Sequence, residues 1–220
     1  MSATAIAELK AAQQARAAKI AEAAPNGNGG GVADDLIDAP NSPNGLQNMM
    51  PSLGRLLPPV TAKDVVISYA HGQPGKNADV DNIASVLQDV TVAETSRLRD
   101  MAELAATRGN QTLQQVIPGF DQLPTWAKKY LSRRADNPAY FGNALHQMVE
   151  KSLTDSGLDR TLRLQIRQPL AGGAPDYQFT FPNGEIAVFD LTTPKEAGKI
   201  VRKYLQDATL FLVEILHPGP

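Results

Sequence analysis

Apolar residues repeat at helical spacing through the middle of the chain. Val80, Ile83 and Leu87 lie three and four positions apart, and the pattern continues to Met101. This spacing is typical of amphipathic helices that pack into a core. Residues 60–136 are therefore predicted to form a helical region.

From residue 137 onward the periodicity changes. An Asn-Pro pair opens a predicted helix over residues 137–157, which ends in glycine. Apolar and polar residues then alternate over 161–168 and again over 176–181, and this alternation predicts two half-buried strands. Pro182-Asn183-Gly184 follows as a hairpin loop.

The next segment predicts the centre of a sheet. Residues 185–191 are largely apolar on both faces, as expected of a strand with neighbours on both sides. A helix starting at Pro194 and a strand over 210–216 follow. Residues 137–220 are thus predicted to be one α/β domain with a mainly four-stranded sheet. Its element order is helix, three-strand meander, helix, strand.

The N-terminal part of the sequence is of a different kind. Residues 1–24 are alanine-rich and favour helix, but charges interrupt them and no signal-peptide core is present. Residues 25–59 contain twelve Pro or Gly, which predicts a disordered, flexible linker. No apolar run is long enough to span a membrane. The protein is expected to be made in the cytoplasm and to need no cleaved signal peptide.

Composition excludes several kinds of site. There is no cysteine, which removes disulfides, thiolate metal centres and thiol nucleophiles. Only three histidines are present, too few to favour a polyhistidine metal cage. The net charge of −2 argues against a general coat of polyanion, but it is compatible with a local phosphate-binding cleft.

Two aspartates are predicted to meet across the hairpin. If 182–184 are its loop, Asp176 falls opposite Asp190, with Cβ atoms about 5 Å apart on one face. Two such carboxylates repel one another, and a hard cation such as Mg²⁺ would compensate their charge. A shared proton, or solvation of both groups at the sheet edge, remains open as an alternative.

Further candidate residues lie near this pair in the predicted fold. His146 and Glu150 share one face of the preceding helix at a four-residue spacing, and Glu150 supplies a third carboxylate. Thr192 points to the same side as Asp190, and Lys195 follows just beyond it.

At these residues the sequence resembles a known family. Pro175-Asp176 followed by Asp190-Leu191-Thr192 resembles the pattern of the PD-(D/E)XK nuclease superfamily. The resemblance implies a restriction-endonuclease-like core and metal-dependent hydrolysis of nucleic acid, with DNA favoured. It also implies that Asp176, Asp190 and Glu150 bind Mg²⁺ or Mn²⁺. The usual lysine two residues after the second acid is Thr192 here, so Lys195 or Thr192 is expected to take its role.

A narrower similarity concerns Val188–Pro194, together with Gly142 and His146. These residues are similar to nuclease domains at the C-termini of bacterial polymorphic toxins and secreted effectors. The similarity implies an antibacterial toxin that a secretion system delivers into a target-cell cytoplasm, with a carrier and an immunity protein as partners.

Basic residues of the same domain are candidates for contacts to the nucleic-acid backbone, although a solvated face would have the same composition. They are Arg163, Arg167, Lys199, Arg202 and Lys203. Two other functions stay open: a catalytically silent domain that binds nucleic acid or protein, and a structural or adaptor protein of a phage or secretion apparatus.

Overall fold

The computed structural model describes residues 60–133, 137–206 and 208–220. The predicted N-terminal helix (1–24) and linker (25–59) lie outside the described residues. The strands are β1 (Val66–His71), β2 (Gln165–Ile166), β3 (Tyr177–Thr180), β4 (Ile186–Thr192) and β5 (Thr209–Leu216). The helices are α1 (Ala78–Thr107), α2 (Leu113–Val116), α3 (Thr125–Arg133), α4 (Pro138–Ser156), α5 (Leu158–Thr161) and α6 (Lys199–Tyr204), with a 3₁₀ turn at Phe120–Gln122.

The strands form one mixed sheet in the order β1-β5-β4-β3-β2. β4 and β5 run parallel, and the other neighbouring pairs are antiparallel. β4 is the middle strand, and Ala187, Val188 and Phe189 are fully buried. The apolar run at 185–191 therefore predicted the central strand correctly, and the fold is mixed α/β.

The first strand corrects the prediction of helix throughout 60–136. Val66–His71 forms an edge strand that pairs with β5, which gives the sheet five strands rather than four. Half of its residues, Val66, Ile67 and Tyr69, are β-branched or aromatic, a composition that fits a strand better than a short helix. The two ends of this edge strand are exposed, with Val66 at 48%, and the residues between them are half-buried.

Helix α4 carries part of the site, and its ends follow local rules. The Asn137 side chain accepts hydrogen bonds from the N–H groups of Ala139 and Tyr140, and Pro138 occupies the first turn. Gly157 ends the helix with φ 70°, a conformation that glycine adopts without strain. The buried face of α4 includes Leu145 and Met148, and His146 is half-buried beside this face.

The strand predicted at 161–168 is largely absent. Helical hydrogen bonds continue from α5, with the Leu162 N–H on Leu158 O and the Leu164 N–H on Asp159 O, both at 2.8 Å. Leu162 and Leu164 are buried as the alternation suggested, but Arg163 between them has φ 55°. Only Gln165–Ile166 pairs with β3, because the preceding backbone is already hydrogen-bonded to α5.

The last helix begins later than predicted. Residues 194–198 form turns, and α6 starts after Gly198, which has φ 82°. Its apolar residues Ile200 and Tyr204 pack on Ile186, Val188 and Leu212, as the apolar spacing suggested. Within the described ranges, none of the helices has the length and apolar character needed to cross a lipid bilayer.

Candidate active site

The β3–β4 hairpin brings Asp176 and Asp190 together in the predicted register. Tyr177 pairs with Phe189 and Phe179 with Ala187, so the next position places Asp176 opposite Asp190. The backbone N–H of Asp176 lies 3.4 Å from Asp190 Oδ1, a long and weak hydrogen bond. Two carboxyl groups thus lie across from each other at the end of the hairpin away from its loop.

Asp176 is held by two donors. Its Oδ1 lies 3.0 Å from His146 Nδ1, and its Oδ2 accepts the Leu191 N–H at 2.8 Å. Burial opposes ionisation of Asp176, but the hydrogen bond and charge of His146, together with the Leu191 N–H, lower the pKa of this carboxyl below its usual value. The pKa of His146 is raised, because Asp176 and Asp190 outweigh the effect of burial. The contact between His146 and Asp176 therefore favours the charged form of both side chains.

Asp190 is the opposite case. Burial, and then the charge of Asp176, raise the pKa of Asp190 from 3.8 to about 7. The Asp176 N–H and the charges of His146 and Lys203 offset only part of this effect. Near neutral pH the Asp190 carboxyl is thus only partly ionised. A shift of this kind indicates that the surroundings supply too little positive charge to stabilise the carboxylate.

An open cleft of about 270 Å³ lies at the end of β4. Asp190 and His146 line it, and Asp176 lies just behind this wall, with its Oδ1 3.0 Å from His146 Nδ1. Thr192 and Thr193 supply hydroxyl groups to its wall. The other charged residues of the wall are Glu196, Lys199, Lys203 and Glu214.

His217, which the sequence analysis did not single out, also lines the cleft. It follows β5 and is 2% exposed, and its backbone N–H donates to Thr192 O at 2.8 Å. Its ring packs edge-on against His146 with centroids 6.3 Å apart. Burial, followed by the charge of His146, lowers the pKa of His217. In the sequence it is a single histidine after an apolar strand, with no spacing that would link it to Asp176.

Glu214 is the second residue missed. It pairs in register with Asp190 on the adjacent parallel strand and is 2% exposed. Its Oε1 accepts the Gly198 N–H at 2.7 Å, so a buried carboxylate ties the turn before α6 to the sheet. The signal in the sequence was a lone charge inside the apolar segment 210–216, where unpartnered burial would be costly.

Glu150, expected as the third carboxylate, has another partner. Its Oε2 lies 3.2 Å from Arg167 Nε, and both side chains are more than one-third exposed. Glu150 is not part of the cleft wall. In the part of the chain that the structure describes, no set of three or more Asp, Glu or His side chains is placed to hold a metal ion.

The remaining predicted residues lie in three kinds of place. Thr192, Lys199 and Lys203 line the cleft, together with His146 and Asp190. Lys195 and Arg202 are exposed and lie outside its wall. The Arg163 guanidinium lies over the Phe179 ring, 4.9 Å from its centroid, and so is partly engaged within the fold.

The arrangement combines an ionised carboxylate, a carboxyl that titrates near neutrality, a buried imidazole and two lysines around one open cleft. Such a set can bind a cation or a phosphate and can move a proton. No family model, no curated protein and no solved structure matches this chain.

Proposed function

We propose that the chain is a metal-dependent nuclease that hydrolyses phosphodiester bonds of nucleic acid, with DNA as the favoured substrate. The observation that carries the proposal is the pairing of Asp176 with Asp190 at the end of the central strand. The high pKa of Asp190, about 7, indicates that a positive charge would be bound favourably there.

The donor set fits Mg²⁺ or Mn²⁺. Mg²⁺ is usually held by one or two carboxylates, with water and substrate phosphate as its other ligands, so a third protein carboxylate is not required. Asp190 and Asp176 would bind the metal ion. Each oxygen of Asp176 already accepts one hydrogen bond, but it keeps a second lone pair that can bind the ion. When bound, the metal lowers the pKa of a coordinated water and offsets charge on the phosphate.

The other residues have distinct roles in this proposal. His146 fixes the orientation of the Asp176 carboxylate through the 3.0 Å contact. Lys199 and Lys203 face the cleft and would bind the substrate phosphate. Lys203 takes the role of the family lysine better than Lys195, because Lys195 lies outside the cleft wall.

The element order supports the same reading. From residue 138 the chain runs α4, then β2, β3 and β4 as an antiparallel meander, then α6 and the parallel strand β5, with α5 as a short addition. This is the order expected of a restriction-endonuclease-like core. The proposed role as a secreted antibacterial toxin with an immunity protein and a secretion carrier rests on the resemblance of residues 188–194.

The test is direct cleavage. Purified protein is incubated with plasmid DNA or with total RNA, in Mg²⁺, in Mn²⁺ or in EDTA. We expect cleavage only with metal, and loss of cleavage in Asp176→Asn and Asp190→Asn. Glu185→Gln, in the hairpin beside the loop, is the matched control and should stay active. Cleavage that persists in EDTA would contradict the metal role. No cleavage of either nucleic acid, with stable binding to a secretion component, would favour an adaptor.

A further inference from the structure

The His217 ring has a fixed hydrogen-bonding direction. Its Nδ1 lies 3.0 Å from the carbonyl oxygen of Pro218. A carbonyl oxygen only accepts hydrogen bonds, so Nδ1 must carry the hydrogen. In the neutral ring the other nitrogen, Nε2, therefore keeps a free lone pair.

The surroundings keep this ring neutral. Burial lowers the pKa of His217, and the positive charge of His146 lowers it further, against the Pro218 carbonyl and the charge of Asp176. The remaining charged groups of the cleft come from β4, β5 and the region of α6. They are Asp190, Glu214, Glu196, Lys199 and Lys203.

We infer that His217 is a catalytic residue of the cleft, whose Nε2 takes a proton from the water that attacks the phosphate. The inference rests on the proposed nuclease function. The water oxygen forms a bond to phosphorus, its proton goes to Nε2, and the bond from phosphorus to the leaving oxygen breaks. The leaving oxygen takes a proton from solvent, and His217 then releases its proton to solvent.

The other titratable groups are less suited to this step. The Nδ1 of His146 is engaged by Asp176 at 3.0 Å, and the pKa of His146 is raised, so this ring is less ready than His217 to release a proton after taking one. Asp176 is ionised but a weak base, since its pKa is lowered. Asp190 is committed to the cation in the proposed function. Of the two imidazoles in the described cleft wall, His217 is the one whose pKa is lowered, so it is the one that is neutral and able to accept a proton.

Two substitutions separate a proton-transfer role from a structural one. His217→Asn places an amide donor near the position of Nδ1 and preserves the hydrogen bond to Pro218. His217→Gln places its amide near Nε2 and loses that bond. We expect both variants to lower kcat by about 10²- to 10⁴-fold with little change in KM. His71→Gln, at the exposed end of β1, is the control and should keep full activity.

A different pattern would overturn the inference. If His217→Asn keeps wild-type kcat while His217→Gln loses it, the ring serves only to bind Pro218. If both keep wild-type kcat, His217 has no role. Because a variant can fail to fold, the tautomer is also measured in the wild-type protein by nitrogen-15 NMR. We expect hydrogen on Nδ1 and none on Nε2 at neutral pH, and the reverse tautomer would refute the assignment.

The NMR measurement does not depend on catalysis. If the wild-type protein cleaves neither DNA nor RNA, the proposed function fails, and the proton-transfer role fails with it. If the wild-type protein cleaves and either the tautomer or the kinetic pattern is wrong, only the role of His217 is overturned.

Discussion

Replacing Asp190 by asparagine should stabilise the metal-free protein, and the gain should depend on pH. The folded-state pKa of Asp190 is about 7, against 3.8 for the free side chain. The folded state therefore binds more protons than the unfolded state between these values. The free energy of unfolding should fall as pH rises from about 4 to about 7, and then level off.

The size of the effect follows from the shift. A difference of roughly 3 pKa units corresponds to about 4 kcal/mol at pH 8, at 1.36 kcal/mol per unit. Asparagine keeps an oxygen for the Asp176 N–H but carries no charge, so it avoids this cost. We expect the stability advantage of Asp190→Asn to grow by about 2–3 kcal/mol between pH 5 and pH 8.

Urea unfolding in EDTA, followed by circular dichroism at pH 5 and at pH 8, measures this difference. Glu185→Gln is the control, and its free energy of unfolding should equal that of the wild type at both pH values. Added Mg²⁺ should stabilise the wild type but not Asp190→Asn, since a ligand stabilises the state that binds it. An Asp190→Asn advantage that is equal at pH 5 and pH 8 would refute the reasoning about buried charge.

Four further predictions concern the surroundings of the cleft. Glu214→Ala removes the acceptor of a turn N–H and should cost about 1–3 kcal/mol in urea unfolding, whereas Glu214→Gln should keep most of that stability. Gly172→Ala should cost at least 1–3 kcal/mol, since its Cβ would lie 1.5 Å from the Lys203 carbonyl oxygen. Gly142→Ala, with open space on its helix, should instead stabilise by about 0.5–1 kcal/mol. Lys203→Ala should lower the affinity for DNA, measured by fluorescence anisotropy, and should make that affinity less sensitive to salt concentration. Lys195→Ala should change both quantities less, and equal effects of the two substitutions would contradict the placement of the cleft.

Local patterns were sufficient for the part of the site that one hairpin builds. The Pro-Asn-Gly loop fixed the register of β3 and β4, and this register alone placed Asp176 opposite Asp190. The cap at Asn137 and the apolar stripe of α4 likewise predicted the helix that carries His146. Each of these features depends on residues that are close in sequence.

The parts that sequence reasoning missed depend on distant partners. Alternation at 161–168 fits a strand, but hydrogen bonds back to α5 and the positive φ of Arg163 favour another path. Glu214 and His217 belong to the site only because β5 lies beside β4, and no local spacing reveals that neighbour. The prediction of Glu150 as a ligand did not foresee its ion pair with Arg167, a residue of the loop after β2.

The position of β5 between β1 and β4 has a consequence for folding kinetics. Val66 of β1 pairs with Leu216, close to the other end of the described chain, so this pairing closes a very long loop. Such non-local pairings are slow to form, because the chain entropy is lost before the contacts are gained. A chain in which β5 has not docked has neither His217 beside Thr192 nor Glu214 beside Asp190. Whatever chemistry the cleft performs therefore requires β5 to be docked on β4, and partly folded chains without that pairing should be inert.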